Sequence, residues 1–280
     1  LHDDGVAVIT WDVPGKSMNV LSREAFATFE DLLDKGLGDD AVKGIVIASG
    51  KDTFAGGMDL NVLAQMKEDA GDDPAKGLFE GIMQIHTLLR KIERAGMDPK
   101  TNKGGKPIAA ALPGTAAGIG LELPLACHRI FLADNPKARV GLPEIMVGLF
   151  PGAGGTTRLV RKLGAMAASP LLLEGKMLEP AKAKAAGLVD EVVADPVAAA
   201  RIKPADLQRL SRIVEVGYAT GEPLTSGKIP QSKVHFSLSP DDDGKIYFST
   251  HQTVKPPDEK YWDPWGTIGD PYHGFTGGYL

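Results

Sequence analysis

Short runs of uninterrupted apolar residues, each ending in a turn, constrain this chain most. Gly44-Ile-Val-Ile-Ala48 is one such run, and Pro107-Ile-Ala-Ala-Ala-Leu112, which ends at Pro113-Gly114, is another. A strand exposed on one face alternates apolar with polar side chains, so a run without alternation marks a buried strand. Val6-Ala-Val-Ile-Thr-Trp11 is β-branched and apolar and predicts a further strand, which turns at Asp12-Val-Pro-Gly15; Ile130-Phe-Leu-Ala133 predicts another. Helical spacing fills the intervals. Ser22 is placed to cap a helix over Arg23 to Leu37, where Phe26, Phe29, Leu32 and Leu33 share a face, and Leu78 to Ile92 repeats Leu, Ile and Met at helical intervals. Lys67 to Pro74 and Gly96 to Lys106 read as surface loops. Strands that alternate with helices argue for a layered α/β domain.

Composition narrows the function classes. With 280 residues, 43% hydrophobic and 24% charged, the chain has enough apolar residues for a sizeable core. A formal net charge of −5 gives nucleic-acid binding no electrostatic support. No window approaches the length of apolar sequence needed to span a membrane. The start, Leu-His-Asp-Asp, shows no export signal and no initiating Met, which suggests a fragment or a processed start. Cys127 is the only cysteine, so no internal disulfide forms; it reads as a small buried hydrophobe, and a reducing compartment, the cytoplasm or the mitochondrial matrix, is expected. Near residue 200 the character changes. Residues 1–200 are rich in Ala, Val, Leu and Gly, whereas 201–280 hold short β-prone runs such as Val234-His-Phe-Ser-Leu, a turn at Asp243-Gly-Lys feeding Ile-Tyr-Phe, and an aromatic, Pro/Gly-rich end with Trp262, Trp265, Tyr272 and Phe275.

Chemistry gathers on two glutamates in glycine-rich settings: Glu122 in Gly118-Ile-Gly-Leu-Glu-Leu123, and Glu144 in Leu142-Pro-Glu-Ile145, which runs on to Pro151-Gly-Ala-Gly-Gly-Thr156. A carboxylate flanked by Leu, Ile and Pro is short of water, which raises its pKa and makes it a usable proton carrier near neutrality. Two such groups in one pocket could hold a water between them. A third segment, Phe54-Ala-Gly-Gly-Met-Asp-Leu60, also follows a strand, and its paired glycines let backbone N–H groups approach a ligand. Two turns of this kind facing one another would aim two backbone donors at one carbonyl oxygen, an oxyanion hole. No P-loop or dinucleotide fingerprint competes with this reading. His128 is expected to pack or hydrogen-bond rather than to react. Arg158, Arg161 and Lys162 either meet phosphates or form a solvated helical face, and Asp59 holds its turn or caps a helix.

On these three segments the chain resembles the crotonase (enoyl-CoA hydratase/isomerase) superfamily. Pro14-Gly-Lys-Ser-Met-Asn-Val-Leu21 and Leu123-Pro-Leu-Ala-Cys-His128 are similar to the hydratase part of multifunctional fatty-acid-oxidation alpha subunits, over about residues 3 to 198. The resemblance implies an α/β fold, a crotonase-like spiral of ββα units, followed by a β-rich or irregular C-terminal segment. It implies that Met58 and Ile119 supply the oxyanion-hole amides, that Glu122 and Glu144 are the acid–base pair, and that the Gly152 amide helps hold the attacking water. Gly56, Met58 and Leu60 would line the mouth for the adenine end of coenzyme A, which enters as part of the substrate; no other cofactor and no metal is implied. The implied activity is hydration of trans-2-enoyl-CoA in fatty-acid β-oxidation, with 3-enoyl to 2-enoyl isomerisation open to the same pair. The implied partners are an acyl-CoA thioester and either further copies of the chain or a thiolase-containing complex. A non-catalytic acyl-CoA-binding or assembly subunit, or another crotonase-type reaction, is the alternative. One departure bears on the site: Ile119 stands where the family has the middle glycine of three, and a β-branched residue is disfavoured there if the position needs φ > 0.

Overall fold

The computed structural model of the chain describes residues 2–58, 73–98, 100, 104–201, 233–240, 246–253 and 275–279. Two units divide it, Leu1–Tyr218 and Ala219–Leu280. The first is built on a parallel sheet of five strands: β1 (Val6–Trp11), β2 (Gly44–Ser49), β3 (Ile108–Leu112), β5 (Arg129–Ala133) and β7 (Glu191–Val193), side by side in that order. Pairing sets Ile9 against Ile47, Val46 against Ala109 and Ala110 against Ile130. Because the side chains of a strand alternate between faces, Ile45 and Ile47 of β2 with Ile108, Ala110 and Leu112 of β3 enter the larger core. Val46, Ala48, Ala109 and Ala111 enter a smaller core on the other face, closed by α7 (Pro196–Ala200). Burial on both faces is the reason these strands carry no polar alternation.

Helices cross between the strands. In α1 (Arg23–Gly38) Ser22 caps the N-terminus by accepting from the Ala25 amide, and Phe29 and Leu33 are buried. In α2 (Pro74–Arg94) the Asp73 side chain accepts from Lys76 N, with proline at the first turn, where its missing N–H costs nothing. Then come the two-residue strand β4 (Ala116–Ala117), α3 (Ile119–Ala126) and, after β5, the strand β6 (Val140–Gly141), which pairs with β4 in parallel. A short 3₁₀ helix, Glu144–Val147, precedes α4 (Gly155–Leu163), α5 (Ala165–Leu173) and α6 (Pro180–Ala185). The two-residue strands and the short helices escape periodicity, which needs longer windows to register.

The second unit, among its described residues, is an antiparallel sheet in the order β10 (Phe275–Tyr279), β9 (Ile246–Thr253), β8 (Lys233–Pro240). The β-prone runs expected there are therefore strands. Asp243, Lys245, Trp262, Trp265 and Tyr272 lie outside the described residues, as do Leu60, Asp59 and the stretch Lys67 to Asp72.

Asn19 ties the first crossover down. It is fully buried, and its Nδ2 is shared among Trp11 O at 2.8 Å, Ser49 Oγ at 3.0 Å and Phe54 O at 3.0 Å. Its Oδ1 accepts from Val13 N at 2.9 Å and its carbonyl from Gly56 N at 2.9 Å. One side chain thus joins the end of β1 and the end of β2 to the turn after it. Asn19→Ala leaves those groups buried and unpaired, and we expect it to lower unfolding free energy by about 3 kcal/mol in urea titrations; a loss under about 1 kcal/mol would contradict this account.

Candidate active site

Two glycine-bearing turns meet beyond the ends of β2 and β3. Phe54 N and Ala55 N donate to Thr115 O at 2.9 and 3.3 Å, and Ala117 N donates to Ala55 O at 3.0 Å. The approach is tight at Gly120, where a Cβ would stand 2.6 Å from Ala55 O, so only glycine fits. A Cβ on Gly118 would likewise lie 3.8 Å from Gly57 Cα. Met58 and Ile119, each following one of these glycines, therefore leave the contact from its two sides. Ile119 is the first residue of α3, where an N–H without an intrahelical acceptor is usual, and among the described residues neither its amide nor that of Met58 has an acceptor.

The backbone resolves the difficulty expected at Ile119. The positive φ falls one residue earlier, on Gly118 at 56°, and Ile119 takes ordinary helical geometry with its side chain in the core. A β-branched residue is tolerated because it lies inside the helix rather than at its cap.

All eight residues of α3 are buried, and Glu122 is the charged one among them, 2% exposed. Its Oε1 accepts from Ala153 N at 2.9 Å and from Gly155 N at 2.7 Å, at the N-terminal end of α4. A Cβ at Gly155 would stand 2.7 Å from Oε1, so glycine leaves the space the carboxylate fills. Burial pushes Glu122 from its ordinary 4.5 up to about 7; the nearby Glu144 charge adds to the rise, and the two amides and the Arg158 guanidinium oppose it. Glu144 opens the 3₁₀ helix and sits half-buried. Gly118 lies beside its carboxyl group, since a Cβ there would come 3.2 Å from Oε1. Desolvation raises its pKa too, and its Oε2 is buried with no partner among the described residues. The two expected proton carriers therefore lie close enough to feel one another.

Gly152 lies in the turn that carries the Ala153 and Gly155 donors, and its own amide has no acceptor among the described residues. Gly56 commits its amide to Asn19 O, and Met58 lines a cavity of about 990 Å³ between α1 and α2, bounded also by Leu21, Ser22, Phe26, Phe79 and Ile85. Neither carboxylate lines this cavity; it reaches the site through Met58.

His128 has the packing role expected of it. Its Nδ1 accepts from Ile108 N at 2.9 Å, so the proton is on Nε2, which donates to Glu93 O at 3.2 Å; burial lowers its pKa and keeps the ring neutral. The Cys127 thiol donates to Leu123 O, and desolvation pushes its pKa up, which leaves it inert. Arg158 is a correction. It meets no solvent face: its side chain is 10% exposed, its Nε donates to Glu93 Oε1 at 2.8 Å and its Nη1 to Ala153 O at 2.7 Å. Arg161 and Lys162 are exposed, and Lys162 pairs with Asp190. Asn19, Glu93 and the Ala153 and Gly155 amides were not singled out from sequence. Only the isolated polar Asn19 ahead of Val20 and Leu21 carried any signal.

The chain belongs to the enoyl-CoA hydratase/isomerase family, whose model matches residues 2–218. Two curated relatives, both fatty acid oxidation complex subunit alpha, are similar to it. One, from Shewanella frigidimarina, is 34% identical over 82% of this chain and 29% of its own length. The other, from Shewanella halifaxensis, is 40% identical over 70% of this chain and 26% of its own. The chain thus spans little more than a quarter of these relatives. Among solved structures, an enoyl-CoA hydratase from Polaromonas sp. JS666 aligns with TM-score 0.65 and 25% identity, over 80% of this chain and 84% of that one. The fold is therefore that of a crotonase, and among the described residues no helix is long and apolar enough to cross a membrane.

The elevated pKa of Glu122 links the site to stability. Glu122 holds its proton more tightly folded than unfolded, so its contribution is complete below the unfolded value of 4.5 and is lost as pH rises through about 7. Glu122→Gln keeps the acceptor oxygen and abolishes the titration. Between about pH 5 and about pH 8 the wild type should lose about 2.5 kcal/mol more unfolding free energy than Glu122→Gln, read from urea curves at both pH values. Parallel pH dependences would refute this.

Proposed function

We propose that the chain is an enoyl-CoA hydratase, adding water across the 2,3 double bond of trans-2-enoyl-CoA in fatty-acid β-oxidation. The observation that carries the reading is the pairing of Glu122, buried and gripped by two amides, with Glu144, whose buried Oε2 lacks a partner among the described residues. The thioester carbonyl binds between the amides of Met58 and Ile119, which stabilise the enolate-like charge as it forms. Glu122 takes a proton from water as the water oxygen bonds to the β carbon, and Glu144 gives a proton to the α carbon. One water is added, and the proton gained by Glu122 returns to Glu144 to reset the pair. The Gly152 amide helps hold the water, and Gly56, Met58 and Leu60 border the coenzyme A moiety. The relatives' names support assembly into a fatty-acid-oxidation complex.

Hydration of crotonyl-CoA, followed as loss of the enoyl thioester absorbance, tests the proposal. Glu122→Gln and Glu144→Gln should each lower kcat about 10³-fold with the protein still folded. Since Glu122 must be ionised to act as base, kcat/KM should rise with pH through about 7. Coenzyme A binding without turnover would replace the proposal with that of a binding subunit, and turnover of 3-enoyl-CoA alone with that of an isomerase.

A further inference from the structure

Behind the carboxylate pair lies a largely buried ion pair that hydrogen-bonds to neither of them. Arg158 is on the first turns of α4 and Glu93 near the end of α2, with side chains 10% and 13% exposed. Burying two charges costs more than their attraction returns unless hydrogen bonds fill the remaining valences, so such a pair is weak evidence for stability. Here the valences are filled in one direction. Glu93 takes Arg158 Nε on Oε1 and Arg90 Nη1 on Oε2, at 2.8 and 3.0 Å, and its backbone carbonyl takes the neutral His128. That fixes the guanidinium plane, and Nη1 is spent at 2.7 Å on Ala153 O. Ala153 is thereby held at both ends, by Arg158 at its carbonyl and by Glu122 Oε1 at its amide, 2.9 Å away. Gly154 makes room for this, since a Cβ on it would stand 2.5 Å from Arg158 Nη1.

We propose that Arg158 is the positioning residue for Glu122: clamped by Glu93, its guanidinium fixes the Ala153–Gly155 turn that grips the carboxylate. Its charge acts on the same group, because removing a nearby cation makes a carboxyl harder to ionise. Glu144, on the 3₁₀ helix, acts in the opposite sense. The other ionisable groups around the turn are Glu93, already paired; His86, whose ring lies 3.5 Å from where a Gly154 Cβ would be; and Cys127, held protonated. The kinetic consequence rests on the hydratase reading, whereas the titration of Glu122 does not.

The test uses the full chain labelled with carboxyl-¹³C glutamate, with the Glu122 resonance assigned by its loss in Glu122→Gln. In Arg158→Met the Glu122 midpoint should rise by about half a unit or more, while Arg158→Lys, which keeps the cation, should stay near wild type. For hydration, Arg158→Met should lower kcat about 10²-fold with little change in KM, and Arg158→Lys about tenfold, since an ammonium cannot reach Glu93 and Ala153 in the same fork. A folded Arg158→Met with unchanged midpoint and kcat overturns the proposal. Should Arg158→Met fail to fold, Glu93→Ala decides: it removes the acceptor that clamps the guanidinium, and unchanged kcat with an unshifted midpoint in that variant likewise overturns it. If the wild type shows no hydration, the hydratase reading falls, and the midpoint in Arg158→Met alone supports or rejects the role of Arg158.

Discussion

A carboxylate placed inside an apolar helix must give up its charge or be met by donors, and α3 admits Glu122 on the second condition only in part. Two backbone amides converge on Oε1, and Oε2 accepts no hydrogen bond from the described residues. The result is a group balanced near neutrality, where desolvation has won some ground and hydrogen bonding has kept the rest. Much of the surrounding structure exists to hold that balance. Gly120 lets α3 approach the turn after β2, Gly155 leaves space for the carboxylate, and Gly118 takes the backbone geometry that allows α3 to begin at Ile119. Substituting any of them would move the acid before it touched the chemistry.

The two carboxylates are held unequally. Glu122 stands on a helix buried on every side, within the same core that packs β3 and β5. Glu144 stands on a single 3₁₀ turn whose following residues, Ile145, Met146 and Val147, are exposed, and its Oε2 has no partner among the described residues. A base that must stay ready to take a proton gains from rigid donors, and an acid that must reach a carbon gains from an unpaired oxygen and a lightly tethered backbone. Under the proposed hydration, the division of labour between Glu122 and Glu144 would follow from their mountings more than from their identities.

What could be read ahead of the coordinates was whatever leaves a local mark. Strands without alternation announced burial on both faces, and Ser22 announced the start of α1. Apolar neighbours around Glu122 and Glu144 announced desolvation. The contacts that finish the site leave no such mark. Glu93 and Arg158 lie far apart in sequence, and each taken alone looks like a helix-surface charge. Asn19 looks like a turn residue, although its side chain hydrogen-bonds to four residues from three segments. The condition attached to Ile119, that the position need φ > 0, is met instead by Gly118, a one-residue offset that sequence spacing cannot resolve.

Polar groups buried without partners mark where a fold has been held short of its most stable form. Trp11 Nε1, Thr53 Oγ1 and Glu144 Oε2 are such groups among the described residues. Thr53 is on the turn after β2 and Trp11 Nε1 at the end of β1, beside the Asn19 knot, with its ring edge-on to Phe54 at 6.0 Å. All three thus flank the two turns that meet at Ala55 and Gly120. Apolar replacements there would relieve the unpaired atoms, so this junction is a place where stability has been left ungained.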